Sequence, residues 1–111
     1  MSRNRWHILR EARALTMARR VPVRFDLAVT TQLEGGNKLR LAWQVRQDIW
    51  RALRGLRGFA PAVRIEEAAC GLRVIAGGQV EGRAPRMHSE ERIAHVLENP
   101  ANRARWLRWA A

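Results

Sequence analysis

Tyrosine is absent from this chain of 111 residues, cysteine and lysine occur once each, and Asp plus Glu number only 10. The single Cys70 excludes an internal disulfide framework. No apolar run approaches the roughly 18 to 20 residues that a membrane span needs. Behind Arg3, Arg5 and Trp6 there is no apolar core of about 7–15 residues, so no secretory signal is expected. A cytoplasmic location is the default for such a chain. The length suits one domain over residues 1–111. With 47% hydrophobic and 28% charged residues, the composition is globular and not disordered.

What the chain has in excess is arginine. Lys plus Arg number 21, of which all but Lys38 are Arg, and the formal net charge is +11. A GC-rich coding sequence enriches arginine whatever the function, but it does not suppress acidic residues. A surplus of this size on a small domain produces a surface potential of several kT and attracts polyanions. Arginine also chelates phosphate and carboxylate bidentately and stacks on flat rings.

The periodicity predicts an α-β-α-β-β-α-α order. Residues 3–19 hold no Pro or Gly, and Ile8, Ala12 and Leu15 fall at helical spacing, so an N-terminal helix is expected there. Residues 21–33 alternate, with Val23, Phe25, Leu27, Val29, Thr31 and Leu33 on one side, which predicts a half-buried strand. After Glu34-Gly35-Gly36-Asn37 the period returns to that of a helix from 38 to about 54, capped by Asn37. Its core side is Ala42, Val45, Ile49, Ala52 and Leu56. Arg40, Gln44, Gln47, Arg51 and Arg54 lie opposite, with Trp43, Arg46 and Trp50 on a flank. Residues 60–82 read as a hairpin that turns at Gly71 and is interrupted at Gly77-Gly78. Ser89 is the expected cap of a C-terminal helix, and Asn99-Pro100 opens a last one that ends near 109.

The expected architecture is therefore a single α+β domain: the helix at 3–19, a β-α-β-β core over 21–82, and C-terminal helices over 89–109. Its sheet is three-stranded and mostly antiparallel, with helices on one face. It resembles a ferredoxin-like split unit that lacks its last strand. Strand 21–33 and the first strand of the 60–82 hairpin should run parallel with the third strand between them. The outer edge of 21–33 is then open, and a homodimer pairing through that strand is expected.

Catalytic chemistry finds few candidates. Glu66 and Glu67 are neighbours in a strand and point to opposite faces. His88, Glu91 and His95 share helical spacing but lack a third strong metal ligand. Cys70 has no base beside it, and no nucleophile elbow surrounds Ser89. Gly35-Gly36-Asn37-Lys38 precedes a helix without the P-loop pattern, which leaves a looser anion contact through Gly36, Asn37 and Lys38. Gly55-Leu56-Arg57-Gly58 matches the bare glycine pair of a KH loop, but a strand follows it where that loop joins two helices. No enzyme activity, cofactor or metal is expected.

Arginine interleaved with tryptophan remains. Five Trp in a chain with two Phe suit base stacking beside phosphate pairing, they suit protein interfaces equally well, and they suit the filling of a thin core, which is the place expected of Trp43 and Trp50. The leading expectation is a small non-enzymatic module that binds nucleic acid, RNA or DNA. Arg40, Arg51 and Arg54 form one face and Arg103, Arg105, Arg108 and Trp109 a second. The competing expectation is an adaptor or accessory subunit that docks on an acidic protein through Arg and Trp anchors. The last helix is expected to divide its tryptophans, with Trp106 packed inside and Trp109 and Arg108 available to a partner.

Overall fold

The computed structural model describes residues 6–111. The elements are β1 (His7–Glu11), β2 (Ala14–Ala18), β3 (Leu27–Leu33), α1 (Lys38–Ala52), β4 (Phe59–Glu67), β5 (Leu72–Val80), α2 (Arg86–Glu98) and α3 (Pro100–Ala110). The domain is α+β, but its sheet has five strands, in the order β1-β2-β4-β5-β3. Every neighbouring pair is antiparallel. β3 and β4 consequently run parallel with β5 between them, as the crossover rule requires.

The two additional strands come from the segment expected to be helical. Residues 7–18 form a hairpin turning at Ala12-Arg13, while residues 3–5 lie outside the described residues. β2 is an inner strand, and all five of its residues are buried. A strand covered on both faces shows a continuous apolar run and no alternation, so helix-forming Ala and Leu masked it. Pairing with β4 (Leu15 opposite Ile65, Met17 opposite Val63) outweighs local propensity.

The strand expected from residue 21 begins only at Leu27. The Asp26 carboxylate accepts the Val80 N–H at 2.9 Å and so replaces the next rung of the ladder with a side chain. That bond, with help from Arg24, holds the Asp26 carboxyl below its usual range. Within β3 the alternation holds: Leu27 and Leu33 are buried, whereas Ala28, Thr30 and Gln32 are exposed. Its outer edge bears on the expected homodimer. Glu90 of α2 accepts the Ala28 N–H at 3.0 Å, and Arg103 of α3 donates to the Gln32 carbonyl. The place a last strand would take thus holds helix side chains, and pairing with a second copy there would have to displace them.

By register, Leu15, Ile65 and Val74 share one sheet face with Met17, Val63 and Ala76. They enter one core with Leu41, Val45 and Ile49 of α1, Ile93 and Leu97 of α2, and Trp106 of α3. The opposite face carries Arg64, which donates to Glu66 and Glu11 at 2.7 Å each and to Thr16 at 3.0 Å. Asn37 caps α1 as expected, its Oδ1 accepting from the Arg40 N–H at 3.0 Å, and Asn99 caps α3 on Asn102 in the same way. Ser89 is not a cap: α2 starts a turn earlier and buries Ser89 in its interior. Among the described residues no helix is long and apolar enough to cross a membrane.

Candidate functional site

The register of the sheet collects residues that the sequence holds far apart. His7 lies opposite Ala18 and Ala18 opposite Ala62, and the Arg19 N–H donates to the Pro61 carbonyl at 3.1 Å. Trp6, Arg19 and Pro61 are therefore brought side by side at one end of the β1-β2-β4 ladder, with Phe59 two residues further out. α1 packs across β2 and β4 and contributes Trp43, Arg46 and Trp50, one stripe of its surface at i, i+3, i+7 spacing. Together these side chains line a cleft of about 290 Å³.

Its walls are aromatic. Trp6 meets Trp43 edge to face, with centroids 6.1 Å apart. Trp50 stacks nearly parallel to Phe59 at 6.4 Å. Trp43 and Trp50 remain 38% and 40% exposed, so neither is a core residue. Two guanidinium groups sit over these rings. Arg46 lies 5.0 Å from the centroid of Trp6 and 4.8 Å from that of Trp43, and Arg19 lies 5.6 Å from Trp6. The Arg46 Nε–H is buried and meets no acceptor within the described residues. Burial pushes the Arg46 guanidinium below the usual arginine range, and the charge of Asp48 opposes that shift. The group still stays charged. A desolvated donor without a partner is costly.

The residues singled out in the sequence divide into two groups. Arg40, Arg51 and Arg54 are exposed along the outer side of α1 and just beyond it. Arg103 and Arg105 are turned inward to hold the fold. Arg103 donates to Thr31 at 3.0 Å and to the Leu97 carbonyl at 2.9 Å, while Arg105 pairs with Asp48. The same Asp48 carboxylate accepts the Trp106 indole N–H at 2.8 Å, which fastens α3 to α1. Arg108 and Trp109 alone of the second patch face outward, with Trp109 62% exposed and Trp106 fully buried. Gly36, Asn37 and Lys38 are likewise engaged. The Asn37 N–H donates to the Ala110 carbonyl at 2.7 Å, the Lys38 ammonium pairs with Glu67 at 2.7 Å, and Gly36, at φ 127°, lies against Ala110.

Charge pairing is lopsided. Among the described residues every side-chain carboxylate except Glu34 and Glu91 takes part in an ion pair within the chain. Arg40, Arg51, Arg54, Arg57 and Arg108 belong to none of these pairs. Among the described residues no group of three His, Cys, Asp or Glu could hold a metal ion. Cys70 is exposed in the turn between β4 and β5.

Sequence reasoning recognised the Trp43–Arg46–Trp50 flank but not the residues facing it. Trp6 and Arg19 were hidden by the helical reading of 3–19, and Phe59 and Pro61 carry no signal until β4 is paired with β2. No family model matches the chain, and neither a curated protein nor a solved structure matches it.

Proposed function

We propose that the protein is a small, non-enzymatic module that binds nucleic acid, gripping phosphates with the outer arginines of α1 and presenting the aromatic cleft beside them. The observation that carries this reading is the imbalance of charge pairing: among the described residues all carboxylates but two are in ion pairs within the domain, whereas Arg40, Arg51 and Arg54 are in none, and the same helix carries the aromatic cleft. Phosphate contacts from free arginines supply affinity by counterion release, and they position the strand rather than read its bases.

The test is salt dependence. Replacing Arg40, Arg51 and Arg54 together by Gln is expected to weaken binding of a labelled oligonucleotide. It should also flatten the slope of log affinity against log salt by about 0.7 to 0.9 for each phosphate that the variant no longer neutralises. Unchanged affinity and slope in a variant that melts like the parent removes this face from the reading.

A second reading, docking on an acidic protein, is favoured by one separate feature. Trp109 is 62% exposed beside Arg108 on α3, and Trp and Arg are the preferred anchors of protein interfaces.

A further inference from the structure

We infer that the cleft between α1 and the β1-β2-β4 end of the sheet receives one unstacked base of a single-stranded nucleic acid, its flanking phosphate meeting Arg46. The inference rests on the proposed binding of nucleic acid and adds which form of it is selected.

The chemistry of the cleft narrows the ligand. Aromatic walls alone would suit an organic cation, but guanidinium groups already occupy the ring faces of Trp6 and Trp43. A cationic ligand would meet like charge there. An acidic peptide would satisfy Arg46 and leave the stacked Trp50–Phe59 wall without an apolar partner. A base joined to a phosphate meets both demands, because its flat ring stacks on the exposed Trp50 indole and its anionic oxygen pairs with the Arg46 guanidinium that lines the same cleft. The volume of about 290 Å³ is at the low end of small-ligand sites. That is room for a ring system and not for a duplex, whose base faces are already stacked on one another. Stacking accepts any base, so selectivity should be for strand state and not for sequence.

The experiment uses the full chain with labelled single-stranded DNA, single-stranded RNA and a DNA duplex of equal length, plus poly-glutamate as an acidic peptide. Anisotropy reads affinity and tryptophan emission reads the cleft. Both single strands are expected to bind at least about 10-fold more tightly than the duplex and to quench tryptophan emission. Trp43→Ala and Trp50→Ala should each weaken single-strand binding about 5- to 150-fold, with duplex binding little changed. Trp50→Phe should restore most of the loss. Both tryptophans are partly exposed, so the alanine variants should fold. If either does not, the comparison of strand and duplex on the unaltered chain decides alone. Equal affinity for strand and duplex without quenching overturns the base site and leaves the nucleic-acid reading in place. Quenching by poly-glutamate as strong as by oligonucleotide overturns it in favour of an acidic partner. Failure to bind any nucleic acid overturns both.

Discussion

Trp106→Ala is expected to lower the stability of the domain by about 3–5 kcal/mol, whereas Trp109→Ala, three residues along the same helix, should leave it nearly unchanged. Trp106 is fully buried, and its indole N–H is committed to Asp48 at 2.8 Å. Truncation opens a large cavity and strips one partner from a carboxylate that also binds Arg105. α3 has 11 residues, too few to persist alone in water, so its order depends on this anchor. For a domain of this size the loss corresponds to a fall in melting temperature of about 12 °C or more. Equal, small effects of the two substitutions would mean that α3 is not fastened through Trp106. If Trp109 serves a protein partner instead, its alanine variant should melt normally and fail only in binding.

Gly77→Ala should be comparably damaging for a different reason. Gly77 pairs with Ala28 on one side and Ala62 on the other. A Cβ built there would lie 1.9 Å from the Leu27 carbonyl oxygen and 2.5 Å from its carbon. Those atoms are backbone, and no flexible side chain can yield. β3 would have to part from β5, at a cost of about 3 kcal/mol or more. Gly55→Ala is the internal control. Nothing lies within 4 Å of a Cβ at that position, so its effect should be small or mildly stabilising, by about 0.4–1 kcal/mol. Thermal melts of the two variants side by side check the contrast, and a Gly77→Ala protein as stable as the Gly55→Ala one would contradict it.

The β3-α1-β4-β5-α2 half of the fold was legible because each element announces its period. β3 alternates, α1 places Ala42, Val45 and Ile49 on one side, and Gly71 provides the positive φ of the turn before β5. The hairpin of β1 and β2 was not legible. β2 offers only the buried Thr16 as a polar residue, too little to mark a face, and the Ala-rich segment satisfies helical propensity equally well. That single misreading concealed half of the cleft, because Trp6 and Arg19 reach Trp43 and Arg46 only once the hairpin lies along β4. The inward turn of Arg103 and Arg105 was hidden for a related reason. Composition shows that arginines crowd α3 but not that Gln32, Leu97 and Asp48 supply acceptors for two of them.

The two walls of the cleft are anchored unequally. Trp43 and Trp50 stand on α1, whose inner side is locked into the core. Trp6 precedes β1, an edge strand whose pairing with β2 is its principal attachment to the domain and whose residues are mostly exposed. Units held by few buried apolar contacts open at lower free energy than the whole molecule. The β1 wall is therefore expected to open at lower free energy than the α1 wall, so that β1 amides exchange with solvent faster than those of α1.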